Sequence, residues 1–376
     1  MKKNLFLSFF ILLGFASILL LDAAQEIIEN PKDSKNPNQG RTIELIEVRR
    51  IKDKVGHFYF SYPCNINISA NGYLFVQDRK QLLQFNSEGE FLRNLIKIGQ
   101  GPGEVEKISN YQLTEDEIIV NGSPNKILHF DYKGQVINEM VIKSPIRLTN
   151  FLFLHNSQYY FLEKDWTKLA DHNEEIVPIP AKLYSLNKDA QTTNFHHSFP
   201  LRYFVAQNSG ERIFMELDLL LFTYLERYLF VSNTPEYLIN VFDTHDKKVV
   251  LRFKRKYSRI KPEKRDPKKG PTLTLSGKTY TQPEKKFKND ILSLLVVDHN
   301  LWIITSATNK EEGLYIDVFN SQGSYLDNFI LKFPNDFPAI TYAQYHITIK
   351  GKSIWAVMKD KKELYYVGKY QIEDKS

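Results

Sequence analysis

A short tag recurs along this chain and constrains its fold more than any other feature. It is an aromatic residue, then Asn or Asp, then a turn. Clear copies are Phe85-Asn86-Ser87-Glu88-Gly89, Phe130-Asp131-Tyr132-Lys133-Gly134, Phe242-Asp243-Thr244-His245-Asp246 and Phe319-Asn320-Ser321-Gln322-Gly323. Degenerate copies are Tyr184-Ser185-Leu186-Asn187 and Tyr370-Gln371-Ile372-Glu373, which makes six. Asn, Asp and Gly are what a tight turn requires, because they tolerate positive φ or hydrogen-bond back to the local backbone. Successive tags lie 45, 54, 58, 77 and 51 residues apart.

The residues before each tag repeat as well. A strand, a polar turn, a second strand, a variable loop and a third strand lead into it. The second strands read YLFVQD, EIIVNG, QYYFLE, YLFVSN, LWIITS and SIWAVM. After five of the six tags a fourth strand follows, as in FLRNLIKI and YLDNFILKF. Aromatic residues are 13% of the chain, and aromatics favour strands. Four strands per unit at a spacing of about 40 to 50 residues is the signature of a propeller blade. A β-sandwich also supplies many short strands but does not explain six similar four-strand units. The expectation is an all-β, six-bladed β-propeller with four antiparallel strands per blade. The sixth blade lacks a fourth strand, whereas TIELIEVRR near the N-terminus is an unassigned strand. An open sheet edge invites unwanted pairing, so the N-terminal strand is expected to close the last blade.

The N-terminus places Lys2 and Lys3 before an uncharged apolar run from Leu5 to Leu21. That pattern directs export, and the run, at 17 residues, stands at the edge of what spans a bilayer. Residues 1–24 therefore read as a signal peptide or an uncleaved membrane anchor. Residues 25–40, rich in Pro, Asn, Lys and Gly, read as a flexible tether. Residues 41–376 read as the propeller. A single cysteine, Cys64, excludes an intrachain disulfide and thiolate metal sites. It reads as a small buried hydrophobe.

The stretch IGQGPGEV, residues 98–105, falls between the first and second blades. A phosphate loop would open a helix and carry Lys-Ser/Thr, and this stretch does neither. Gly99, Gly101, Pro102 and Gly103 read as a structural turn, with the Glu104 carboxylate accepting backbone N–H bonds to pin it. The Gly-Gln-Gly-Pro-Gly-Glu segment after the first blade also resembles the six-bladed β-propeller family of Bacteroidetes, exported propellers related to the NHL-like and TolB-like types. The resemblance spans the chain after the tether. It implies the same fold and export, with a role mostly unknown. Many members look like lipoproteins with a Cys just after the signal, and no Cys follows the run here.

Two insertions interrupt the regular units, at 162–181 and 252–288. The second holds 14 Lys or Arg against three acids, more excess charge than the net +6 of the whole chain. In an up-and-down blade, turns joining strands two and three share a face with the blade-to-blade connectors. Both insertions and the Gly-Pro-Gly turn are therefore expected on one face, and rigid frames carry function on such loops. Candidate ligand-binding residues are Trp166, Lys264, Arg265, Lys268, Lys269 and Tyr280. Trp166 suits stacking on a sugar ring or a partner protein, and the cations suit an anionic glycan or lipid surface. Nucleic-acid binding would need basic groups interleaved with stacking aromatics, and Tyr257 and Tyr280 are too sparse.

The nine histidines show no metal-ligand spacing, and His196 and His197, adjacent on a strand, are expected to point to opposite faces. No Gly-x-Ser-x-Gly elbow occurs. The primary expectation is a monomeric envelope scaffold that binds an envelope protein, an anionic glycan or a lipid surface, without cofactor or nucleic acid. The alternative is a metal-assisted hydrolase of the lactonase kind centred on the channel, with Asp218 and Asp290 as its best carboxylates.

Overall fold

Four of the six tags fold as Asx-type turns at the end of a third strand, and this local chemistry sets the blade repeat. The Asn86 side-chain oxygen accepts from the backbone N–H groups of Glu88 and Glu90, and that of Asn320 from Gln322 and Ser324. Gly323 follows at φ 75°. A Cβ on Gly323 would stand 2.8 Å from the Phe253 ring, so glycine also lets this turn approach the neighbouring blade. The computed structural model describes residues 26–144, 148, 150–169, 176–189, 192–208, 211–233, 235–262, 272–308, 312–335, 337 and 343–372.

Six four-stranded antiparallel sheets result, as the repeats predict. Blade 1 comprises Pro63–Ile68, Leu74–Asp78, Gln81–Phe85 and Phe91–Asn94. Blade 2 comprises Lys107–Leu113, Ile118–Ser123, Lys126–Phe130 and Val136–Val141. Blade 3 comprises Phe151–His155, Gln158–Lys164, Ala181–Asn187 and Thr193–Phe199. Blade 4 comprises Leu221–Leu225, Tyr228–Ser232, Ile239–Asp243 and Lys248–Arg255. Blade 5 comprises Ile291–Val297, Asn300–Thr305, Leu314–Phe319 and Tyr325–Lys332. Blade 6 has Ile347–Lys350, Ser353–Lys359 and Tyr365–Ile372 from the C-terminal end of the chain.

Among the described residues, six apolar clusters each lie between two adjacent blades, and a seventh, smaller one, of Phe204, Ala206 and Leu217, lies off the ring. Phe75 and Leu82 of blade 1 meet Ile118 and Val120 of blade 2, and Trp355 of blade 6 meets Ile66 and Phe85 of blade 1. That last cluster closes the ring. Burying a large apolar side chain contributes about 1.5–3 kcal/mol, so each blade is held through its two flanks.

The N-terminal segment does more than close blade 6. Strand β2, Arg41–Ile51, runs first parallel to the outer strand of blade 5, with Arg41 opposite Phe329. It then runs antiparallel to the last strand of blade 6, from Leu45 opposite Ile372 to Ile51 opposite Val367. Before it, strand β1, Ile27–Asn30, adds a parallel fifth strand to blade 4. Residues 26–40 are therefore not the flexible tether their composition suggests. The buried Asn30 amide donates to the carbonyls of Lys254 and Gly323, and its oxygen accepts from Tyr325 N–H at 2.9 Å. Gly40 N–H donates to the Asn328 carbonyl, and Arg41 forms a two-pronged pair with Asp327. The segment is a strap across blades 4, 5 and 6. Among the described residues no helix is long and apolar enough to cross a membrane, and the run Leu5 to Leu21 lies outside them.

His196 and His197 do not point to opposite faces. The pairing of Ala181–Asn187 with Thr193–Phe199 slips between Leu183 and Tyr184, which leaves His196 as the extra residue of a bulge. Both rings then approach Phe242 of blade 4, at 6.0 and 6.5 Å between centroids. Burial and the nearby Lys247 ammonium push the His196 imidazole down to about 4. The neutral ring is thus favoured in the fold while the unfolded chain takes up a proton near pH 6.5. Stability should therefore be intact above about pH 6.5 and decline as pH falls towards 4, by about 2 kcal/mol once partial solvation is allowed for. Urea midpoints measured across that range should fall for the parent and fall less for His196→Gln. Equal slopes would remove His196 from the account.

Candidate functional site

Strand order decides where the loops go. Turns between second and third strands, and the connectors between blades, leave from one edge of every sheet, here the connector face. Three insertions on that face associate. Residues 176–178 of the blade 3 insertion pair with Arg202–Asn208, which forms a hairpin with Glu211–Glu216 in the connector to blade 4. A second hairpin, Thr272–Leu275 with Lys278–Thr281, comes from the connector to blade 5 and packs beside it. Together they form a cap over blades 3 to 5.

The cap brings two of the sequence candidates to one hairpin. Trp166 opens a short 3-10 turn and lies 5.4 Å, centroid to centroid, from both Tyr203 and Phe214, with 44% of its surface exposed. Tyr280 packs beside Phe204, Ala206 and Leu217, and its hydroxyl donates to the Gln207 carbonyl. Tyr203 and Phe204 alternate along one strand, so Trp166 and Tyr280 clasp the hairpin from opposite sides. The hairpin was missed in the sequence, although Tyr203–Ala206 and Ile213–Leu217 flank an Asn-Ser-Gly turn signal. Lys264, Arg265, Lys268 and Lys269 lie outside the described residues.

The basic insertion starts later than the composition suggests. Residues 252–255 belong to the outer strand of blade 4. Several of its cations are engaged internally: Lys254 with Glu29, Arg255 with Asp317, Arg259 with Asp290, and Lys285 with the Leu217 carbonyl. The two channel candidates are held the same way. Arg202 grips Asp218 at 2.7 Å, and Asp290 accepts from Arg259 and from Tyr237 N–H. Among the described residues no group of three or more His, Cys, Asp or Glu side chains could hold a metal ion. The first strands of blades 1 and 2 carry side-chain amides instead, and those of blade 2 bond to the backbone of the first strand of blade 3. Asn65 donates to Asn110, Asn110 to the Phe151 carbonyl, and Leu154 N–H to Gln112.

The Gly-Pro-Gly turn is closed partly by its own acid. The Glu104 carboxylate accepts from Gly101 N–H at 3.0 Å. A Cβ on Gly99 would stand 2.0 Å from that carboxylate, so only glycine fits. Two partners were not legible: Lys126 donates to the carbonyls of Gln100, Gly101 and Glu104, and Glu139 accepts from Gly103 N–H. The half-buried Cys64 thiol is pushed up to about 11 by burial and by Asp78, so it stays protonated.

A cleft of about 1130 Å³ opens on the same face above blade 6. It lies among Arg50 at the end of β2, Lys52 and Asp53 beyond it, Pro334, Asn335 and Phe337 in the connector from blade 5, and residues 359–366. No sequence candidate lines it. The only local signal is the charged run Lys359-Asp360-Lys361-Lys362-Glu363 between the second and third strands of blade 6. A recess of about 160 Å³ lies between the cap and the first strands of blades 3 and 4, bordered by Lys164, Glu216 and Phe222.

A ring of six four-stranded blades with a loop-built cap and a cleft on its connector face defines a six-bladed β-propeller. A family model described as a 6-bladed beta-propeller matches residues 55–200. No curated protein matches the sequence significantly. Among solved structures, the chain is similar to a Bacteroides fragilis protein provisionally described as exported, with 12% identity over 93% of this chain and 100% of the other and a TM-score of 0.51. It is also similar to a gluconolactonase of Xanthomonas campestris, 12% identical over 90% of this chain and 100% of the other, at a TM-score of 0.44. BamB of Moraxella catarrhalis is 12% identical over 82% of this chain and 85% of its own, at 0.34. The likeness to the Bacteroides fragilis protein shows the fold.

Proposed function

We propose that the chain is an exported scaffold of the cell envelope that holds a ligand or partner on its connector face. The observation that carries this reading is the cap. Three separate insertions converge on one face of an otherwise regular ring, and they leave Trp166 half-exposed at its surface. Loops on a rigid frame that are ordered against one another are suited to recognition. The arginine-held Asp218 and Asp290 favour binding over channel-centred hydrolysis. Export rests on Lys2, Lys3 and the apolar run. Since β1 begins at Ile27, a retained anchor would hold the blade 4 edge within about 20 Å of the membrane, the reach of the few residues between.

The test is a glycan and lipid array probed with the parent and two variants. Trp166→Ala should weaken the ligand found about tenfold at every salt concentration, because its contact is not charged. Gln at Lys264, Arg265, Lys268 and Lys269 should weaken it at low salt and flatten the salt dependence. If both variants bind as the parent does, the ligand does not use the cap.

A further inference from the structure

We propose that the cleft above blade 6 binds an acidic oligosaccharide, a chain of uronic-acid sugars. The inference deepens the connector-face reading and rests on it. The cleft's volume of about 1130 Å³ stands just above the usual range of small-ligand pockets, which suits an extended ligand.

Its charges are arranged to receive anions. The acids are already engaged within the protein. Asp53 accepts from Phe60 N–H, Asp360 accepts from the N–H groups of Lys362 and Leu364, and Glu363 pairs with Lys359 at 2.8 Å. Arg50 is fixed by a two-pronged contact with Glu47 and lies 3.9 Å over the Tyr366 ring. Lys52, Lys361 and Lys362 have no carboxylate within salt-bridge distance among the described residues; Lys52 and Lys362 act on Asp360 only at longer range. The uncommitted charge of the cleft is therefore cationic.

Its apolar surface is arranged for rings. Leu364, 61% exposed, and Tyr365 line the cleft, and Tyr62, 54% exposed and outside the lining, stands edge-on to Tyr365 at 6.1 Å. Tyrosine offers a rigid flat face to the C–H side of a pyranose and a hydroxyl to its rim. An acidic peptide would share the charge chemistry, but extended peptides dock by pairing with a free strand edge. The edges at this cleft, β2 and Tyr365–Ile372, are already paired with each other. The combination of free lysines, one exposed tyrosine beside the lining and closed edges favours sugar.

The experiment is calorimetric titration of the purified chain with short oligogalacturonates at low and high ionic strength. Oligoglutamate and neutral maltooligosaccharides serve as comparators. Saturable binding is expected for the oligogalacturonate alone. Replacing Lys52, Lys361 and Lys362 together by Gln should weaken it about tenfold at low salt and remove most of its salt dependence. Tyr62→Ala, at an exposed position, should weaken it severalfold at both salts. Absence of saturable binding, equal affinity for oligoglutamate, or unaltered binding by the triple variant would each overturn the proposal. Loss of this binding alongside an intact Trp166-dependent ligand would sink the cleft assignment and leave the connector-face reading standing.

Discussion

Deleting residues 26–51 should open the ring. The loss removes β2 from the last strand of blade 6 and from the outer strand of blade 5, and β1 from blade 4. It also removes Leu45 and Ile51, which are 4% and 6% exposed in the clusters on either side of blade 6. Two such side chains contribute about 3 kcal/mol or more, and local exchange scales with the free energy of opening. Amide exchange in Tyr365–Ile372 should therefore accelerate by about a hundredfold or more, with smaller rises in Tyr325–Lys332 and Lys248–Arg255. Deleting only 26–40 should spare blade 6 and loosen blades 4 and 5. Hydrogen-exchange mass spectrometry of the two truncations separates these outcomes, and unchanged protection in Tyr365–Ile372 after the longer deletion would refute closure by β2.

The second large effect is expected at the junction of blades 4 and 5. Arg255 Nε donates to Asp317 at 2.7 Å, with the two side chains 7% and 0% exposed. Tyr237 and Tyr325 each donate a hydroxyl to the same carboxylate at 2.8 Å. Removing one charge of a buried pair strands the other, at a cost of about 3–5 kcal/mol. Asp317→Ala should fall in that range by urea denaturation and leaves the Tyr237 and Tyr325 hydroxyls without their acceptor as well. The double variant Arg255→Met, Asp317→Leu should recover a large part of the loss, because two apolar groups replace two charges. A single variant within about 1 kcal/mol of the parent would mean that the pair carries little of the junction's stability.

These junctions mark where sequence reading stopped. The tags were legible because an Asn or Asp turn is local chemistry: Asn320 bonds groups two and four residues away. Closure by the N-terminal strand followed from counting strands. The strap was not legible, since Pro31, Lys32 and Lys35 look solvated and what orders the segment is distant. Asn30 bonds Tyr325, 295 residues on. The His196 bulge depends on register with the neighbouring strand, which alternation alone does not reveal. The Glu104 carboxylate holds the Gly101 N–H within its own turn, while the anchors Lys126 and Glu139 come from another blade. Trp166 and Tyr280 were selected as loop residues of suitable chemistry; that they meet through a hairpin between them needed the fold. The cleft joins residues near 50, 335 and 360, so no motif announces it.

The claim that recognition happens on the connector face is tested most directly by an exchange footprint of the bound ligand. The parent chain would be saturated with oligogalacturonate or with the ligand found on the array, and exchange compared with the free chain. The account predicts slowed exchange in connector-face segments: residues 52–62 and 360–364 for a ligand in the cleft, and 202–216 for one on the cap. Protection confined to the tag turns of the opposite face, residues 86–90, 131–135 and 320–324, would contradict it.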